Sequence, residues 1–485
     1  MSHDDNSPSP DGGTTLHGAQ PLESAPPTPS EAARPEGSSS RPGSKGARPG
    51  GGRLRRLLRL ATIDARPLRR RRDFRLLFVG QLVSFFGTMI TSVALPYQAY
   101  QLTHSPLAVG LIGLVQLGPL LLFAFLGGAL ADARDRRRMV QATELAFAIM
   151  SALLIVNTLL PRPRLWVLYA IAAVMAGLDA LQRPSLDALL PRLVERDELA
   201  AAGALSSLQG TLGQVAGPAI GGILIATTGL TGAYAVDVAT FVVSLALLRL
   251  MRAVPPPADA ARPSLRGVAE GLRYARARPE LLGTYVVDIV AMFFGMPTAL
   301  FPGLAARLGG PGVLGLLYAA PAVGSLLAAA TSGWTARVHR HGRAVLYAAV
   351  GWGVAIALFG LCNALWPALV FLALAGAADE VSGLFRGIIW NRTIPDALRG
   401  RLAAIELLSY SSGPLLGDVE SGAAASVFGT PVSIVSGGAL CVVGVVLLAA
   451  ALPRFRRYDG RDHAVAPASD RPDHAYSEST TGGRG

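Results

Sequence analysis

The stretch LGQVAGPAIGGIL, Leu212–Leu224, lies inside a long apolar run and carries Gly213, Gly217, Pro218, Gly221 and Gly222. In lipid every backbone N–H and C=O needs a partner within the protein, and both residue types weaken a helix. Their spacing resolves the conflict. Gly213, Gly217 and Gly221 recur every fourth residue on one helical face, a smooth strip where a second helix can lie backbone to backbone. Pro218 kinks such a helix where neighbours satisfy the freed carbonyl. Alone, the strip reads as a generic packing face. An echo at Gly413, Pro414 and Gly417, in the eleventh apolar stretch, makes it part of a larger pattern.

The surrounding chain has 485 residues, of which 51% are hydrophobic and 16% charged, the make-up of a polytopic membrane protein rather than of two or three soluble domains. Twelve apolar stretches of about 20 residues or more, the length that crosses a bilayer core, fall at 76–100, 107–131, 138–160, 164–186, 199–226, 231–252, 281–305, 311–336, 343–363, 366–389, 402–427 and 431–453. The loops between them alternate in charge: ADARDRRR, ARVHRHGR and PRFRR are basic, whereas QLTHSP, TTGLTG and FGTP carry no Lys or Arg. By the positive-inside rule both termini face the cytoplasm. The net charge of +12 is therefore topogenic, and no nucleic-acid partner is expected. Cys362 and Cys441 sit in apolar spans and indicate neither a disulfide nor a metal site. The polar start MSHDDNSPSP is not a cleavable signal peptide, so the first span is expected to direct insertion. HRH at 339–341 lies in a basic loop, which disfavours a cation site, and the sequence has no G-x4-G-K-[ST] loop for ATP. Neither an enzymatic activity nor a cofactor is expected, and transport would draw on an ion gradient.

The chain divides into a basic cytoplasmic tail (1–70), a six-span lobe (71–252), a cytoplasmic linker (253–279), a second six-span lobe (280–457) and a C-terminal tail (458–485). In the linker Leu265, Val268 and Leu272 recur at helical spacing among arginines, the pattern of a helix on the anionic leaflet. The lobes read as repeats: VGLIGLVQLGPLLLFAFLGGALADARDRRRMV overlays LGLLYAAPAVGSLLAAATSGWTARVHRHGRAV, pairing Gly110 with Gly315 and Gly128 with Gly333, and AGPAIGG overlays SGPLLGD, pairing Gly217 with Gly413. The expected fold is an all-α polytopic membrane protein of twelve transmembrane helices in two pseudo-symmetric six-helix lobes, the build of two-lobed secondary transporters.

At these motifs the chain resembles the major facilitator superfamily. The arrangement G-x3-G-P-x2-G-G on the fifth span is similar to the antiporter motif of its exporters. GGALADARDRRR, with Gly128, Asp132, Arg136, Arg137 and Arg138, resembles the loop motif G-x3-D-R-x-G-R-R, with Ala133 and Asp135 departing from it and Arg134 placed to supply the displaced charge. RPSLDALLPRLVERDELAAAGAL, THSPLAVGL and GRLAAIELLSY look like the branch of siderophore (enterobactin) exporters and macrolide-efflux proteins. The resemblance spans 72–457 and implies a proton-driven, usually monomeric exporter. It also implies a cytoplasmic gate at Gly128, Asp132, Arg134, Arg136, Arg137, Arg183 and Glu406, and a cavity lined by spans one, four, seven and ten.

Charges within spans cost a few kcal/mol each on insertion scales and need a reason. Asp288, Asp379, Glu380 and Asp179 fall on spans expected to line the cavity and are candidate proton carriers. Asp179 and Arg183 stand at i, i+4 and equally suit a structural pair. Asp288 has no basic neighbour in sequence, and Arg386 is placed to pair across the lobe interface with Asp379 or Glu380. Glu144, Asp237, Asp418 and Glu420 rank lower. Gln81, Thr88, Thr91, Ser92 and Gln98 give the first span a polar side for substrate, though Ser and Thr can also bond their own helix, and Tyr285 suits either stacking on an aromatic ligand or anchoring at the membrane interface. The expected function is export of a small amphipathic molecule, a siderophore, antibiotic or drug, across the bacterial inner membrane by proton antiport. An importer or facilitator of the same fold is the alternative, and a non-transporting receptor or scaffold a more distant one.

Overall fold

The computed structural model describes residues 64–133, 135–252, 273–395 and 398–461, with side chains throughout except at 124–133, 399–401, 403, 404, 407 and 408. Residues 1–63 and 462–485 of the tails, the linker helix and the gate positions Gly128, Asp132 and Arg134 lie wholly or by their side chains outside the described residues.

All regular structure among the described residues is helical. The first lobe holds α1 (Arg72–Thr103), α2 (Pro106–Ala133), α3 (Arg136–Leu159), α4 (Leu165–Leu193), α5 (199–228) and α6 (230–249). The second holds α7 (Pro279–Leu308), α8 (Pro311–Ala330), α9 (His341–Gly360), α10 (Leu365–Thr393), α11 (Arg399–Phe428) and α12 (Thr430–Ala451). Among the described residues ten segments are long and apolar enough to cross a membrane; one of them, Arg196–Arg249, breaks at Gly229 and counts twice, and the 30-residue α11 makes the twelfth.

Local chemistry sets the ends. Gly229 takes φ 72° and ψ −177°, a backbone that side chains strongly disfavour, where α5 gives way to α6. α1 stops at His104, held left-handed with its N–H on Tyr100 O. α7 is not the continuous helix expected over 281–305. Pro297 forces Met296 into extended backbone, and the chain resumes through a 3₁₀ turn, Thr298–Leu300. Asp135 is the N-cap of α3, its carboxylate accepting from Arg137 N (2.9 Å) and Arg138 N (3.4 Å). That role explains why Asp stands where the resembling motif has Gly. At the start of α1, Arg71 bridges Glu195 and Glu198, and these partners hold its guanidinium firmly charged.

Outward faces are apolar: Trp166, Trp366 and Leu447 are each more than 60% exposed, as lipid-facing side chains should be. Within each lobe α1 packs on the α5–α6 pair and α2 on α4, as α7 packs on α11 and α8 on α10. Between lobes α2 meets α11 and α5 meets α8. Gly110 and Gly113 of α2 abut the Asp418 and Leu415 carbonyls, Gly422 of α11 abuts Pro106, and Gly222 of α5 abuts Gly315 of α8. All these contacts lie toward the end where α1 finishes and α2 begins. There the lobes close on each other.

Candidate transport cavity

Between the lobes lies a cavity of about 830 Å³, in the range that holds a drug-sized molecule. It is roofed at the closed end by Thr298, Tyr318 and Asp418, and it runs along α1 and α4 to Phe74 and Leu190, at the end where α1 begins and α4 finishes. Aromatic rings supply much of the wall, among them Phe78, Phe85, Phe147, Phe241 and Tyr410.

The polar side of α1 is partly as the sequence suggests. Gln81, Thr88, Thr91 and Ser92 line the cavity. Their hydroxyls are engaged: Thr88 donates to Ser84 O, Ser92 to Met89 O, and Thr91 to Asp237 of α6 at 2.6 Å. Gln98 is not on the wall. It is 2% exposed, donating to Thr158 and accepting from Tyr234 OH inside the first lobe. Tyr285 likewise stacks on Trp390, ring centroids 5.6 Å apart, within the second lobe rather than on a ligand face.

The acids expected to carry protons are arranged differently from the sequence reading. Asp288 of α7 is buried and ion-paired with Arg386 of α10, and Ser409 of α11 donates to it at 3.3 Å. Arg386 also reaches the partly exposed Asp379 at 3.5 Å. Arg386 thus pairs within its own lobe, not across the interface, and Asp288 has the basic partner that its sequence neighbourhood lacks. Glu380 is half-buried beside Asp379, and Glu406 is half-buried on α11, within electrostatic reach of Arg386 and Asp288. None of these four acids is among the residues lining the cavity.

Asp179 and Arg183 do line it, each about half exposed and 3.8 Å apart; Arg183 also donates to Tyr410 OH of α11 at 2.8 Å, a hydrogen bond between lobes. Among the described lining residues Arg183 is the one cation. Arg136 and Arg137, expected at a gate, are directed inside the first lobe: Arg136 donates to Ala188 O of α4, and Arg137 caps the last carbonyls of α6, Leu248 and Arg249, each at 3.0 Å. The glycine motif splits its contacts. Gly213, Gly217 and Gly221 lie on Phe85, Met89 and Ile90 of α1, Pro218 presents its carbonyl to Gly315, and Gly222 crosses to α8.

One acid that the sequence ranks lower stands at the cavity wall. Glu144 of α3 is 1% exposed at the cavity wall and accepts from Gln81 Nε2 (2.7 Å), Ser84 Oγ (3.3 Å) and Gln182 Nε2 (3.1 Å). The available signal was that Glu144 is the single acid in its span, with no base at i±3 or i±4.

Comparison with known proteins agrees with this architecture. The family model described as "Transmembrane secretion effector" matches residues 64–473. The chain is 32% identical over 407 residues to the enterobactin exporter of Shigella boydii serotype 18, covering 83% of this chain and 96% of that one. Among solved structures it shares the fold of a bacterial homologue of the iron transporter ferroportin (TM-score 0.60, 18% identity, 79% of this chain and 98% of the other). It shares it too with a bacterial homologue of the lysosomal transporter Spinster (TM-score 0.61, 17% identity, 82% and 98%).

Proposed function

Because the chain belongs to the transmembrane secretion effector family of major facilitator transporters, we propose that it exports a siderophore-like, amphipathic small molecule across the bacterial inner membrane in exchange for protons. The observation that carries the reading is the end-to-end relation to enterobactin exporters, 96% of whose length is matched. The cavity supports it: aromatic walls suit flat aromatic groups, and Arg183 offers an anion a charged hydrogen-bond donor. With both termini cytoplasmic, as the basic loops favour, the conformation described is open inward and closed outward, ready to load substrate. One chain contains both lobes and the cavity, so a monomer suffices.

Inside-out vesicles test this, with enterobactin as probe. Acidifying the lumen is expected to drive enterobactin accumulation above that of vesicles lacking the protein, and a protonophore to collapse it. No accumulation would remove the export reading; accumulation indifferent to the protonophore would remove the antiport part alone.

A further inference from the structure

The intramembrane acids divide by partner. Asp288 and Asp379 share the cation Arg386, so a proton on either would weaken a buried pair. Asp237 and Asp418 have only neutral partners, and so does Glu144. Its three donors, Gln81, Ser84 and Gln182, are neutral, and all converge on Oε1. Oε2 is buried with no donor in full hydrogen-bond geometry, and the buried Ser244 hydroxyl of α6, also neutral, stands close enough to hydrogen-bond the carboxyl. A carboxylate in such a place has at most one neutral donor for Oε2, whereas a neutral acid can itself donate from Oε2 to the Ser244 oxygen. The site therefore accommodates the protonated form, yet its donors on Oε1 also support the anion. It is also at the wall of the substrate cavity, against Gln81 and Gln182, which line it too.

We propose that Glu144 is the proton carrier of this transporter, taking a proton on Oε2 from the outward side and releasing it to the cavity when the lobes open inward. The inference rests on the antiport reading above. The step moves one proton, the side chain passing from anion to neutral acid and back, and substrate in the cavity senses it through Gln81 and Gln182. Charged groups on the helices packed against α3 are accounted for. On α4, Asp179, Arg183 and Asp187 face the cavity, and Arg183 is engaged by Asp179 and Tyr410. On α6, Asp237 is held by Thr91 and by Ser151, which stands on α3 two turns, about 10 Å, from Glu144. α1 presents Gln81 and Ser84, both neutral.

The test uses full-length protein in proteoliposomes, with enterobactin as probe and a lumenal pH dye. For Glu144→Gln the ratio of gradient-driven enterobactin transport to enterobactin exchange is expected to fall about tenfold or more, with Glu144→Asp recovering part of it. A ratio equal to that of the unmodified protein would overturn the assignment while leaving antiport standing. Absence of gradient-driven transport in the unmodified protein would instead defeat the antiport reading. A second measurement needs no variant: dicyclohexylcarbodiimide, which modifies protonated carboxyls in apolar surroundings, should label Glu144 in native membranes, less as pH rises and less with enterobactin present. Labelling confined to Asp237 or the Arg386 cluster would overturn the proposal.

Discussion

Gly222 of α5 and Gly315 of α8 meet backbone to backbone, and a Cβ on Gly222 would stand 2.8 Å from the Gly315 Cα. The relation has a counterpart in the repeat. Gly315 aligns with Gly110 of α2, which abuts the Asp418 carbonyl of α11, so each lobe sends a glycine of its second helix into the fifth helix of the other. Gly217 and its aligned mate Gly413 are matched in the same way, one on Met89 of α1 and the other on Met292 of α7. The glycine motif therefore binds α5 to its own lobe by one face and closes the lobe seam by another.

Enlarging the seam should bias the carrier against its outward-closed state. Gly222→Leu places a side chain against Gly315 and the Pro311 carbonyl, a strain of about 1–3 kcal/mol where the seam cannot relax. That corresponds to a population shift of about five- to 150-fold. Spin labels on the ends of α5 and α8 are expected to report a wider separation, with reduced enterobactin export. An unchanged distance distribution would show that the seam is not under this constraint.

The spans and the seam were legible in the sequence because lipid imposes a length and small residues impose a spacing. The partner of Gly222 was nearly legible as well, since the repeat alignment already singled out Gly315. The acids were not. Asp288 meets a base 98 residues away in sequence (386 − 288) on another helix, and no local pattern says which acid a buried Arg will choose. The break in α7 was written in Pro297, yet hydropathy continues across it, and a reading by hydropathy runs straight through. Glu144 was visible as an acid, but the neutral donors that gather on it come from three other positions in the chain, Gln81, Ser84 and Gln182, and no local pattern announces them.

Arg386 should matter for stability before transport. Arg386→Met leaves Asp288 buried with Ser409 alone, a loss of about 3–5 kcal/mol for a broken buried pair. Adding Asp288→Asn is expected to return most of it, because the charge that lost its partner is gone as well. Thermal unfolding in detergent measures both. A double variant no more stable than the single one would mean that the pair does not hold α7 to α10.

Asp135 gives a smaller and more local effect. As N-cap of α3 it satisfies two otherwise unpaired N–H groups, so Asp135→Ala is expected to cost about 1 kcal/mol and Asp135→Gly only a few tenths. The order is the informative part. If Ala were the milder change in thermal unfolding, the cap would not be what Asp135 contributes.

Arg183 is the residue whose variants test the charge of the cargo. It is flanked by Asp179 and Asp187, so the cavity wall presents both signs, and sequence alone does not rank them. The geometry favours an anion. Tyr410 accepts one N–H of Arg183 from the opposite lobe at 2.8 Å, while Asp179 sits at 3.8 Å and about half of each side chain is exposed. The guanidinium is thus positioned by the tyrosine without being neutralised by a tight pair. A charged hydrogen bond to ligand is worth about 1.5–3 kcal/mol, so Arg183→Ala is expected to raise the KM for enterobactin by about tenfold or more, with kcat less affected. Tyr410→Phe removes a single hydrogen bond of about 0.5–1.5 kcal/mol and should move KM in the same direction by less. Arg183→Lys should recover only part, since an ammonium cannot present the same planar pair of donors. Were Arg183→Ala to lower the KM instead, Asp179 and Asp187 would be the selecting groups and the natural cargo would be a cation.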